Sequence, residues 1–227
     1  MIVIDHLAKA YGPKQVLQDI HLTLSPGKVY GIVGENGAGK TTLFRCIAGL
    51  ETAYTGQIRS DLQPLKNHLG FLPTNPIFLP KITGKEYLTL LSIARKTPLP
   101  DFNVQNIFDL PLDEFAENYS TGMKKKLALL GILLQQNTYF ILDEPFNGID
   151  IQSNMLVTAI IHQLKKLGKT ILISSHIFST LNDTCDEIHL LREGTFTRRV
   201  LPGDFAQLNE EMKQVMVGNR LDALDLR

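Results

Sequence analysis

The sequence predicts an α/β fold with a mostly parallel sheet. Three short apolar runs, residues 28–33, 139–142 and 170–174, have the length and β-branched content of buried strands. Each ends in residues that carry chemistry: a glycine-rich loop, the pair Asp143-Glu144, and Ser175-His176. Helix-patterned segments separate the runs. An open parallel sheet puts its ligand beyond the carboxyl ends of its strands, so the three runs describe one sheet and one site.

The elements follow in order. Residues 1–7 alternate and predict a strand; Gly12-Pro13 turns the chain, and residues 16–24 return with Ile20, Leu22 and Leu24 on one face. This predicts an N-terminal antiparallel β subdomain. After Ser25-Pro26-Gly27, residues 28–33 lead into the loop, and a helix runs from Thr42 to Ala48, stopping near Gly49. Strands are expected from Gly56 and over residues 68–73. Thr83-Gly84-Lys85-Glu86 is a capping box opening a helix whose apolar face holds Tyr87, Leu90, Leu91 and Ala94. Asp101 caps a short helix through Phe108. Ser120 is the N-cap of a long helix to Gln135. Residues of about 75–135 thus form a small inserted α-helical subdomain. A turn at 147–150, a helix over 151–167 stopped by Gly168, a helix over 177–184, and a hairpin across Glu193-Gly194 complete the pattern. Asp204 caps a final helix, and residues 203–227 form that helix and a tail.

Bulk properties set limits. The 227 residues suit a single domain. Hydrophobic content of 44% supports a sizeable core. The 23 basic and 23 acidic residues balance, without the basic surplus of a duplex-binding protein, so nucleic acid is not an expected partner. No apolar stretch reaches membrane-spanning length, and the first residues lack the pattern of a signal peptide. Cys46 and Cys185 are isolated and read as reduced core thiols.

Gly34-Glu35-Asn36-Gly37-Ala38-Gly39-Lys40-Thr41 fits the phosphate-cradling pattern, in the strand–loop–helix context it requires. Glycines let backbone N–H groups converge on phosphate oxygens, and the helix N-terminus adds positive potential. Lys40 suits the β- and γ-phosphates, and the Thr41 hydroxyl suits Mg²⁺, with Thr42 adjoining. Asp143 would hold Mg²⁺ through water, and Glu144 would act on the attacking water as base or polariser. His176 would contact the γ-phosphate. Tyr11 at the first turn either stacks on adenine or packs on its own hairpin. Lys124-Lys125-Lys126 puts cations at the positive end of a helix. That implies either an anion beside it or a solvated basic face.

At this point the chain resembles the ATP-binding cassette (ABC) ATPase family over residues 1 to about 200. Gly34 to Thr41 matches Walker A, Tyr139 to Glu144 Walker B with its catalytic glutamate, Tyr11 the A-loop, Asn147 to Asp150 the D-loop and His176 the switch histidine. Ser120 and Gly122 match two positions of the signature motif, at the right distance before Walker B. The resemblance implies a P-loop NTPase core, Mg-dependent ATPase activity, and ATP and Mg²⁺ as cofactors. It implies a head-to-tail homodimer gated by ATP, with each nucleotide between Walker A of one copy and the Ser120–Gly122 stretch of the other, and Asp150 of the D-loop among the nucleotide-binding residues. A separate transmembrane permease would dock on residues 77–91, holding the chain peripherally on the cytoplasmic face. The chain departs from the family at the Q-loop, where Thr74 stands in place of the metal-ligating glutamine and Asn75 is the alternative. The signature reads Tyr-Ser-Thr-Gly-Met, a form similar to that of bacterial exporters. These features imply the ATP-hydrolysing subunit of an ABC transporter, an exporter. The alternative is a non-transport ABC ATPase, acting as a soluble ATP-gated clamp or regulator.

Overall fold

A computed structural model describes residues 1–175 and 178–213. Two sheets organise it. Strands β1 (Ile2–Tyr11), β2 (Lys14–Leu24) and β4 (Thr55–Ser60) form an antiparallel sheet in the order β2-β1-β4. The second sheet has six strands: β3 (Val29–Val33), β5 (Leu69–Leu72), β6 (Tyr139–Asp143), β7 (Thr170–Ser175), β8 (Glu187–Arg192) and β9 (Thr195–Val200). Their order is β5-β6-β7-β3-β8-β9, parallel except for the β8–β9 hairpin at the edge. The fold is the α/β class expected.

The parallel strands are uniformly apolar because both faces are covered. Alternate residues enter two different cores. Val29, Val33, Phe140, Leu142, Ile171 and Ile173 face one side. There they meet helix α4 (Thr121–Leu134), through Leu127 and Leu130, and helix α5 (Ile151–Lys166), through Val157 and Ile161. Helices α6 (Phe178–Asn182) and α7 (Phe205–Lys213) add Leu181 and Leu208. Tyr30, Ile32, Ile141 and Leu172 face the other side, against Leu43, Phe44 and Ile47 of α1 (Lys40–Ile47) and the apolar face of β1–β2.

The remaining helices are α2 (Gly84–Arg95) and α3 (Phe102–Gln105). The expected capping box is present: Glu86 N–H donates to Thr83 Oγ1 at 3.1 Å, and Thr83 N–H to Glu86 Oε2 at 2.8 Å. The apolar face expected for α2 needs correction. Gly84, Leu88 and Ser92 are buried, whereas Leu90 is 46% exposed and Ala94 is exposed. Gly84 sits under Leu112 and Tyr119, while Tyr87 and Leu91 pack inward as expected, against Gly131 of α4, so only Leu90 and Ala94 leave the expected face. Leu90 is exposed, as are Ile77, Leu79 and Ile93. The short helix expected to run to Phe108 is one turn, Phe102–Gln105, because the Asn106 side chain ends it by bonding both backbone groups of Leu110. β1 continues to Tyr11, past the expected end at Leu7, since β2 pairs with it as far as Lys14. Among the described residues no helix is long and apolar enough to cross a membrane. The expected tail beyond residue 213 lies outside the described residues.

Phe44 anchors α1 to the sheet with its side chain fully buried. Phe44→Ala should cost about 3–5 kcal/mol, the usual range for an emptied aromatic core position. Urea titration should show a lower midpoint at unchanged slope, and a midpoint matching the parent would contradict this packing.

Candidate functional site

Val33 ends β3, and residues 34–39 wrap into α1. Gly37 and Gly39 take φ of 87° and 110°, a region closed to most side chains. At Gly39 a Cβ would also lie 2.9 Å from Val16 O and 2.8 Å from Leu17 Cδ2, so the loop seats directly on β2. The Lys40 ammonium folds back, donating to Gly34 O at 2.6 Å and Glu35 O at 3.2 Å. It also lies 3.6 Å from Glu144 Oε1.

β6 delivers Asp143 to the floor of the site, with its carboxylate fully buried. Thr41 Oγ1 and Thr74 Oγ1 each donate to its Oδ2 at 2.7 Å, and Ser174 Oγ donates to Oδ1 at 2.5 Å. Ser174, paired with Asp143 across β6–β7, also accepts the Glu144 N–H at 2.9 Å. Two hydroxyls converging on one carboxylate oxygen make an all-oxygen donor set, the chemistry that suits Mg²⁺. Thr41, Asp143 and Thr74 are the residues that would hold the ion. The Thr74 side chain, and not Asn75, reaches this point. Glu144 is buried, and its backbone sits at φ 53°.

A cavity of about 660 Å³ joins these groups, within the range of small-ligand sites. Glu35, Asn36, Gly37, Gly39, Lys40, Thr41 and Thr42 line one wall; Thr74, Asp143, Glu144 and Asn147 line the other. Gly34 and Ala38 complete the loop without lining the cavity. Lys14 and Val16, at the start of β2, also line it. Sequence reasoning missed both, because neither carries a motif and only the seating of the loop on β2 brings them there. It missed Ser174 for a related reason: a serine inside a buried strand gives no signal until the register sets it beside Asp143.

Several expected residues lie elsewhere. Tyr11 does not line the cavity. Its ring lies under Lys9 Nζ, 4.5 Å from the ring centroid, and is 44% exposed. Ser120, Gly122 and Asp150 border a second opening of about 440 Å³, apart from the phosphate loop. Ser120 caps α4 by accepting Met123 N–H at 3.2 Å. Asp150 caps α5, accepting from Ser153 N–H at 2.8 Å and Ser153 Oγ at 2.7 Å. These donors hold its pKa down at about 2. In this chain Asp150 is a helix cap and not part of the phosphate cavity. His176 lies outside the described residues.

Within the chain the lysine run makes specific contacts. Lys124 Nζ donates to Glu117 O at 3.0 Å, Lys125 Nζ to Glu144 O and Asn147 O at 2.8 and 2.7 Å, and Lys126 Nζ to Ser153 Oγ at 3.2 Å. Successive residues on a helix point about 100° apart, so each lysine reaches a different acceptor of its own chain.

Comparison with known proteins gives a consistent answer. The family description "ABC transporter" matches residues 17–147. The lantibiotic transport ATP-binding protein SrtF of Streptococcus pyogenes is 33% identical over 205 residues, which cover 86% of this chain and 88% of that protein. The bacitracin transport ATP-binding protein BcrA of Enterococcus faecalis is 28% identical over 232 residues, covering 96% and 75%. Among solved structures, an ATP-binding subunit of an ABC transporter superposes with a TM-score of 0.79 at 25% identity, covering 92% of both chains.

Ser174→Ala should destabilise the fold by about 1.5–3 kcal/mol, since it strips one donor from a buried carboxylate and leaves the Glu144 N–H without its partner. A thermal or urea melt indistinguishable from the parent would contradict the role given to Ser174.

Proposed function

The chain belongs to the ABC transporter ATP-binding family, and on that premise we propose that it hydrolyses Mg·ATP to drive a separate membrane permease, as an exporter. One observation carries the reading. A phosphate loop, a hydroxyl–carboxylate cluster of oxygen donors and the Glu144 carboxylate share a single cavity at the carboxyl ends of β3 and β6.

The chemistry divides among the chain's own residues. Backbone N–H groups of residues 35–40 and the N-terminus of α1 face the β- and γ-phosphates. Lys40 adds a point charge there. Thr41, Asp143 and Thr74 would hold Mg²⁺, Asp143 and Thr74 through water, and the bound ion would supply charge neutralisation at the phosphates. Glu144 orients the attacking water and accepts its proton as the γ-phosphoryl group transfers to the water oxygen, leaving ADP and phosphate. His176, from the family pattern, contacts the γ-phosphate.

The separation of the Ser120–Gly122 opening from the phosphate cavity supports a head-to-tail homodimer in which each copy completes the other's site. The N-terminus of α4 would then face the partner's γ-phosphate. The exposure of the large apolar side chains Ile77, Leu79, Leu90 and Ile93, in and just after the expected docking segment, supports permease docking there, which would hold the chain at the cytoplasmic face of the membrane. SrtF and BcrA are named for lantibiotic and bacitracin transport, which favours a transporter subunit over a soluble clamp that moves no solute.

Lys40→Ala should abolish hydrolysis and weaken ATP binding, and near-parental ATPase activity in that variant would remove the reading. Glu144→Gln should bind ATP yet turn over at least a hundredfold more slowly. With ATP and Mg²⁺ it should elute as a dimer in sizing chromatography. A protein that stays monomeric at high concentration would sink the dimer. Thr74→Gln should tighten the Mg²⁺ dependence of the ATPase rate by roughly 1 kcal/mol, as an amide carbonyl replaces a water. An unchanged dependence would remove Thr74 from the metal shell.

A further inference from the structure

We propose that Lys125 is a positioning residue for Glu144, fixing the backbone that aims the catalytic carboxylate and tying it to the first turn of α4. The proposal rests on the ATPase reading above and assigns a role to a residue outside the motifs that led to it.

Lys125 is only 2% exposed. Its ammonium donates to two backbone carbonyls, Glu144 O at 2.8 Å and Asn147 O at 2.7 Å. Those carbonyls begin and end a tight turn, closed by Asn147 N–H to Glu144 O at 3.2 Å. Glu144 enters this turn at φ 53°, a left-handed conformation that side chains other than glycine, asparagine and aspartate seldom adopt. Such a conformation persists only where its surroundings over-determine it. Both peptide groups flanking the Glu144 Cα are held: the N–H by Ser174 Oγ and the C=O by Lys125 Nζ. The Cα–Cβ direction, and with it the origin of the carboxylate, follows from those two anchors.

The location of the charge argues for a function beyond packing. Burying an ammonium is costly, and a methionine of similar length fills the same volume without desolvating a cation. Here burial lowers the Lys125 pKa, while Glu144 and Asp143 nearby oppose that shift. What the cation supplies that methionine cannot is a pair of donors on the turn. The neighbouring contacts extend the same joint. Lys126 binds Ser153 at the start of α5, and a Cβ on Gly122 would stand 2.8 Å from Gly148 O. The first turn of α4, which also carries Ser120, is therefore fastened to residues 144–153 at several points. A contact made at Ser120 reaches Glu144 along this route without passing through the phosphate loop.

The test uses the full chain with Lys125→Met and Lys125→Gln, measuring kcat, KM and the Kd of a fluorescent ATP analogue. Lys125→Met should fold, keep Kd and KM within about twofold, and lose at least tenfold in kcat. Lys125→Gln keeps an N–H donor on a shorter arm and should fall between the parent and Lys125→Met. Parental kcat in Lys125→Met overturns the proposal. So does a loss of nucleotide affinity matching the loss of kcat, which would mark a general loosening of the fold. If Lys125→Met does not fold, Lys125→Gln decides: reduced kcat at unchanged Kd supports the proposal, and full parental activity overturns it. Absence of Mg·ATP hydrolysis in the parent chain would instead refute the ATPase reading itself.

Discussion

The structure depends on one buried charge. The Asp143 carboxylate has no solvent exposure, and three hydroxyls keep it there: Thr41 from α1, Thr74 from the segment after β5, and Ser174 from β7. A buried carboxylate without donors would be intolerable, so each of those elements must arrive in register. The requirement links the phosphate loop, the neighbouring strand and the entry to the helical insert through one pair of oxygen atoms. It also explains why chemistry collects at this point. The donors that make the charge tolerable are the same groups that offer oxygen ligands to a hard cation.

Around that point the sheet acts as a rigid mount. β6 and β7 run parallel and paired from Tyr139↔Thr170 to Asp143↔Ser174, and both of their faces are packed. Close packing leaves no room for β6 to slide, so Asp143 and Glu144 project from a fixed edge. The loop opposite is held differently, by backbone conformation and by its seat against β2. The cavity therefore lies between a wall set by the sheet and a wall set by glycine geometry.

The legibility of this arrangement in the sequence varied with the range of the cause. Local causes could be read directly. The strand–loop–helix at residues 28–47, the capping box at Thr83–Glu86 and the hairpin at residues 187–200 each depend on neighbours a few positions away. The long-range causes left no such trace. Nothing in the run Lys124-Lys125-Lys126 says where its ammonium groups go, because Lys124 and Lys125 meet the backbone carbonyls of Glu117, Glu144 and Asn147, which any residue would supply. Periodicity marked α2 as amphipathic but not its orientation against Leu112 and Tyr119, so Leu90 was placed inside when it faces solvent. Tyr11 was readable as an aromatic at a turn, but the cation above it, Lys9, lies two residues back on the same strand, and a β-bulge between Leu7 and Lys9 shifts its register.

Lys40 joins the phosphate loop to the end of β6. Its side chain is only 6% exposed, so the ammonium must find oxygen within the protein, and it takes Gly34 O, Glu35 O and the edge of Glu144. The two carbonyls are neutral and weak partners, and the carboxylate stands at 3.6 Å, beyond hydrogen-bond distance. On the proposed reading, phosphate oxygens offer the same ammonium charged acceptors at closer range, and charge-assisted bonds are roughly twice as strong as neutral ones. The lysine that would hold the anion and the acid that would act on the water thus lie side by side in one cavity.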